Sequence, residues 1–207
     1  MPRTIAGILG CTSPTNTREP FDFYRTPWEC TRALIEAEGD QMPAVVWEPC
    51  CGEGDISAEL KRSGREVHST DLVDRGFGYG GVNFFGVRTP PAKALVTNPP
   101  FEYAEAMLRH AAAIGLEYVA FLHKAHWLNA AERGSMVESV WCPERCYLLQ
   151  WRPDFKNQGP PTMDCNWYIF TRASLRARSW VSSILWRPTS QQQLPLISPQ
   201  PNHPPPP

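Results

Sequence analysis

The segment Thr97-Asn98-Pro99-Pro100-Phe101 holds the residue types best suited to chemistry in this chain. Two consecutive prolines stiffen the backbone and remove two amide donors. The side-chain oxygen of Asn98 and the carbonyl of Pro99 can then point outward as acceptors, and Phe101 offers a stacking face. An amino group conjugated to an aromatic ring is a poor nucleophile. Two acceptors on its hydrogens favour the pyramidal form, whose lone pair can attack a methyl sulfonium. A base stacked in a helix would first have to be swung out. The same residues would also serve as a rigid proline turn over a buried Phe, so other segments must weigh in.

A second constellation is Trp47-Glu48-Pro49-Cys50-Cys51-Gly52-Glu53-Gly54-Asp55. Gly52 and Gly54 permit a tight turn and the close approach of a ligand to backbone amides. A G-x-G alone is common in strand-to-helix turns. Here Glu48, Glu53 and Asp55 make the loop acidic, which points to a cationic ligand rather than a phosphate. No G-x-x-x-x-G-K-[ST] sequence is present, so a P-loop is not supported. Asp71 lies about twenty residues beyond the glycines, a spacing that suits an acid accepting from ribose hydroxyls. A strand-end Asp also caps helices and forms turns; combined with the glycine loop it favours a nucleoside.

These residues need a scaffold that brings strand ends together. Residues 28–37 read as a helix, with Thr26 able to cap it and Pro27 suited to its first turn. Strand-like apolar runs cover 44–47, 66–70, 94–97, 118–122, 147–149 and 166–170. Helical stretches cover 55–62, 103–114 and 129–140. Strands that alternate with helices, each strand a nearly continuous apolar run, predict an α/β sandwich with a mostly parallel sheet. Ligands of such sheets bind beyond the carboxyl ends of the strands, and Glu48, Asp71 and Asn98 all fall there.

The 207 residues suffice for one domain with a real core. A net charge of −1 gives no global drive towards nucleic acid or membrane. The charge is unevenly spread: all acidic residues lie at or before Asp164, and Arg172, Arg176, Arg178 and Arg187 follow it. A basic C-terminal segment could contact phosphates; a solvated tail is the plainer reading for its last twenty residues. Seven cysteines without regular spacing, and no secretory leader, indicate reduced thiols in a cytoplasmic protein. Cys142 and Cys146 have no second ligand pair, so no metal is expected. No apolar run approaches a membrane span. Residues 1–20 read as a loose arm, 21–187 as the folded domain, and 188–207, with eight prolines, as a disordered or polyproline-like tail.

The glycine loop, Asp71 and the Asn-Pro-Pro-Phe tetrad occur in that order along the chain, each after a strand. Together they resemble the class I S-adenosylmethionine-dependent methyltransferases, in particular the N6-adenine DNA methyltransferases. Asp22-Phe23-Tyr24-Arg25-Thr26-Pro27 resembles the segment that helps hold the methyl donor. Asp71-Leu72-Val73-Asp74-Arg75-Gly76, with Gly81-Val82-Asn83-Phe84-Phe85, resembles a group of small phage and prophage enzymes. Trp151-Arg152-Pro153-Asp154-Phe155 and Trp167-Tyr168-Ile169-Phe170 resemble their closing strands. The resemblance covers about residues 21–172 and implies a three-layer sandwich around a seven-stranded, Rossmann-like sheet. It also implies S-adenosylmethionine as cofactor and DNA as partner. Catalysis would rest on Asn98, Pro99 and Phe101. Glu48, Gly52 and Gly54 would line the methionine part, with Tyr24 and Thr26 nearby; Asp71 would bind the ribose, and Asn83 and Phe84 the donor's adenine. The family usually has Asp where Asn83 stands. Cys50 and Cys51 read as small packing residues. The chain has no room for a separate target-recognition domain, so contacts to the target would come from loops holding His123, Lys124, His126, Trp127, Arg133, Lys156 and Asn157. The tetrad also occurs in relatives that modify RNA or protein glutamine. A non-catalytic binding protein with this fold is a further alternative.

Overall fold

The computed structural model describes residues 23–129, 134, 136–138, 140–176 and 179–189. The expected arm, nearly all of the expected tail, and Arg133 and Arg178 lie outside the described residues. Seven strands form one sheet: β1 (Val45–Glu48), β2 (Glu66–Ser69), β3 (Ala94–Thr97), β4 (Tyr118–Lys124), β5 (Arg145–Leu149), β6 (Cys165–Thr171) and β7 (Val181–Leu185). Their order is β2-β1-β3-β4-β6-β5-β7. Only β6 runs against the others, antiparallel to both β4 and β5. Helices α1 (Trp28–Glu38), α2 (Asp55–Arg62) and α3 (Ala104–Ala113) cover the sheet.

Two hydrophobic clusters show why this is a three-layer sandwich. Val46, Val96, Ala120 and Leu122 pack with Leu34 and Ile35 of α1 and Ile56 and Leu60 of α2. The alternate residues Trp47, Leu95, Val119 and Phe121 pack with Met107 and Leu108 of α3. A strand buried on both faces must be apolar at every position, which is the pattern seen in β3 and most of β4. Each such side chain contributes about 1.5–3 kcal/mol when fully buried.

Three expectations need correction. Thr26 does not cap α1: Pro27 occupies the N-cap position and no side chain bonds there. Residues 134 and 136–138 are helical, as expected for part of 129–140, but Trp127–Asn129 form a 3-10 turn instead. The segment after Arg172 is not simply a basic extension, because β7 lies within it. Arg172 pairs with Glu117 at 3.2 Å, and Arg187 pairs with Glu29 at the start of α1. Among the described residues, no helix is long and apolar enough to cross a membrane.

Candidate active site

The carboxyl ends of β1, β2, β3 and β4 open into a cavity of about 970 Å³. Tyr24, Thr26, Glu48, Gly52, Asp71, Asn83, Phe84, Asn98, Pro99 and Phe101 all line it. Gly54 does not. It is the N-cap of α2 with φ 91°, its N–H donates to the Cys51 carbonyl at 2.7 Å, and an added Cβ would lie 2.6 Å from the Phe77 ring. Gly54 therefore builds the turn; Gly52, with φ 55°, lines the cavity, and an added Cβ there would lie 2.4 Å from the Phe23 ring.

In the glycine-loop half, Glu48 ends β1 and is 1% exposed. It accepts from the Ser57 hydroxyl, which in turn lies 2.6 Å from the Ser69 hydroxyl. Burial pushes its carboxyl well above the usual carboxylate range, and the Ser57 hydrogen bond opposes that only in part. Among the described residues no cation pairs with it. Asp71 is more fully engaged than a waiting ribose acceptor would be. One oxygen accepts from the Gly52 N–H at 2.8 Å. The other accepts from the Val73 N–H at 2.9 Å and from Arg75 at 3.1 Å. A carboxylate has about four lone-pair sites, so one acceptor site remains beyond these three bonds. Asp71 thus clamps the glycine loop to the end of β2 while still lining the cavity.

Asn83 is also partly committed: its side-chain oxygen accepts from the Phe85 N–H at 3.0 Å and caps a short 3-10 turn. An amide oxygen has two lone pairs, so this capping bond leaves one acceptor site on a residue that lines the cavity. Phe84 is buried against Trp47 at 5.1 Å between ring centroids, with His110 edge-on to it. Phe85 is more exposed than Phe84 and faces Tyr103 across the cavity rim, 6.5 Å away.

The Asn98 half is organised around one side-chain contact. The Asn98 amide nitrogen donates to Thr26 Oγ1 at 3.1 Å. This bond joins the segment before α1 to the loop after β3 and turns the Asn98 oxygen away from Thr26. Phe101 packs against His123 at 4.6 Å, and His123 against Trp127 at 4.6 Å. His123 and Trp127 are buried, so they back the site rather than contact a target from a surface loop. Lys124 places its ammonium 4.9 Å above the Phe101 ring, and Lys156 lies 5.7 Å from the Tyr24 ring. Both lysines line the cavity; His126 and Asn157 do not.

The acidity of the glycine loop does not act as expected. Glu53 and Asp55 pair with Arg25, at 3.3 Å and 2.6 Å. Only Glu48 remains for a cation. Cys50 lines the cavity, and burial raises its thiol pKa; Cys51 is pushed up to about 12. Neither thiol is a nucleophile at neutral pH, in line with a packing role. Sequence reasoning missed Arg75, whose guanidinium stacks 4.2 Å from the Phe23 ring, and the wall formed by residues 158–163. Among the described residues no group of His, Cys, Asp and Glu is arranged to hold a metal.

No family model matches the sequence, and no curated protein aligns with it. Solved structures do match in fold. A protein assigned as an RNA methyltransferase from Pyrococcus horikoshii aligns with a TM-score of 0.56 at 18% identity, covering 73% of this chain and 87% of that one. The M protein of the type I restriction enzyme EcoKI gives 0.56 at 16% identity, over 84% of this chain and 51% of its own, so this chain spans about half of its length. The magnesium protoporphyrin IX methyltransferase of Synechocystis, solved with bound S-adenosylmethionine, gives 0.50 at 13% identity, over 70% and 79%. The fold is that of the class I methyltransferases.

Proposed function

We propose that this chain transfers a methyl group from S-adenosylmethionine to the N6 amino group of adenine in DNA, with the target base swung out of the duplex into the cavity. The observation that carries the reading is the Asn98 amide. Its nitrogen is tied to Thr26, which leaves the oxygen as the acceptor of a side chain that lines the cavity with Pro99. That arrangement suits an exocyclic amino group, which offers two hydrogens and needs its lone pair freed. Phe101, supported from behind by His123, supplies the face for the base.

The residues also fit the donor. Glu48 is a buried carboxyl group with no cation paired to it among the described residues, and an α-ammonium group would supply one. Gly52 lines the cavity and leaves room for the Phe23 ring beside it, and Asp71 retains acceptor capacity for a hydroxyl. When bound, the donor supplies a methyl group on a positively charged sulfur. The chain's own part is then to orient the amine, exclude water and hold the two reactants in line, which can account for most of the rate. Lys124 and Lys156 line the cavity, and on this reading they supply cations for phosphates flanking the swung-out base.

The reading is tested by incubating labelled S-adenosylmethionine with unmethylated duplex DNA, digesting to nucleosides and detecting products by mass. N6-methyladenine that vanishes with Asn98→Ala is the expected result. Donor binding without DNA methylation would overturn the DNA assignment and leave RNA and protein glutamine as acceptors.

A further inference from the structure

The two edges of the sheet are finished differently. At one edge, β2 carries Glu66 and His68, and Thr70 bridges to Tyr79, so the following loop returns alongside it. At the other edge, the run Trp180-Val181-Ser182-Ser183-Ile184-Leu185-Trp186 contains no charge and no proline. Its register with β5 is unbroken from Val181 to Leu185, so no bulge blunts it. Exposed edges of this kind pair with other strands unless charges, prolines or bulges prevent it.

The hydrogen bonds show which groups are open. The Val181 N–H donates to the Glu144 carbonyl at 3.0 Å, and the Leu185 carbonyl accepts from Gln150 at 2.9 Å. Residues 181, 183 and 185 therefore turn their backbone groups towards β5. By the alternation of a strand, Ser182 and Ile184 turn theirs outward. The side chains beside this ladder are apolar and solvated: Trp180 is 44% exposed, Val181 65%, Ile184 53% and Trp186 74%.

We propose that β7 pairs antiparallel with β7 of a second copy, about a two-fold axis at Ser183. The sequence is self-complementary around that residue: Trp180 falls opposite Trp186, Val181 opposite Leu185, and Ser182 opposite Ile184. Ser182 of one copy and Ile184 of the other then exchange both of their outward backbone bonds, and no like charges meet. An isologous contact needs this kind of symmetry.

The test is sedimentation equilibrium of the full chain, with two variants. Ser182→Pro removes only an outward N–H, and Ile184→Lys puts a charge at the edge, so both leave the β5 ladder intact. The wild type is expected to sediment as a dimer and both variants as monomers, with unchanged far-UV circular dichroism. In addition, Ser183→Cys is expected to form a covalent dimer on mild oxidation. Ser183 meets its own copy at a non-hydrogen-bonded position, where Cα atoms lie about 4.5 Å apart, within disulfide reach. A wild type that stays monomeric at all concentrations, a dimer that survives both edge variants, or no cross-link through residue 183 would each overturn the proposal.

Discussion

The two halves of the cavity are built on opposite principles. In the glycine-loop half, the protein's own groups already satisfy most of the polar atoms: Asp71 takes three donors, Asn83 caps a turn, and Glu53 and Asp55 hold Arg25. In the half around Asn98, prolines remove donors, one amide contact orients the acceptor, and partly exposed aromatic rings form the wall. The first half is a pre-set frame that spends its hydrogen bonds on its own shape. The second keeps its acceptor for something that enters. Disrupting the first should therefore cost stability and donor affinity together, whereas disrupting the second should cost turnover alone.

The largest expected effect breaks the second half. Asn98→Ala should lower kcat by roughly 100- to 1,000-fold, the scale of losing one preorganised transition-state contact, with donor affinity by calorimetry unchanged. Equal loss of affinity would erase the distinction between the halves. Next, Asp71→Ala should weaken donor binding and also destabilise the fold by about 1–3 kcal/mol, because the Gly52 and Val73 amides lose their acceptor. A variant that melts normally while binding weakly would show that Asp71 serves the ligand alone.

Glu48 gives a smaller effect with a definite pH sign. Its folded carboxyl is raised by burial. An ammonium brought beside it lowers that value, so binding releases a proton, and donor affinity should rise with pH up to the raised free-state value. Without donor, the folded chain holds this proton more tightly than the unfolded chain, so this group's contribution to stability falls as pH rises through the same window. Glu48→Gln should weaken binding about tenfold, flatten the affinity profile and raise the melting temperature at neutral pH. A pH-independent wild-type affinity would remove Glu48 from the site. The smallest effect is Thr26→Val. Losing one neutral hydrogen bond frees the Asn98 amide to rotate and should reduce kcat by a factor of several; steady-state kinetics would show whether KM stays fixed.

Much of this architecture is legible in the sequence because β1, β3, β4 and β6 are buried over most of their length and are therefore mainly apolar, with polar residues such as Glu48, Thr97 and Lys124 at the carboxyl ends of β1, β3 and β4. β7 is not legible for the converse reason. Four of its five residues are exposed, and two serines interrupt the apolar pattern, so little burial signal reaches the sequence. The cavity residues are legible where chemistry demands a rare combination, as at Asn98-Pro99-Pro100-Phe101. The acidic loop misleads because its neutralising partner, Arg25, lies 30 residues from Asp55. No local pattern announces that pairing. The role of Thr26 is hidden in the same way, since its partner Asn98 is 72 residues along the chain.

The placement of the cysteines makes the molecule its own reporter. Cys30, Cys142, Cys146 and Cys165 are buried, with thiols held protonated by that burial. Alkylating reagents can reach them only when the surrounding layer opens, so their labelling rates form a map of local unfolding across the sandwich. Cys50 and Cys51 differ because both line the cavity. Their labelling at alkaline pH, where some thiolate forms, would follow occupancy of the cavity instead of opening of the core, so an alkylation time course separates a ligand that fills the site from one that merely stabilises the fold.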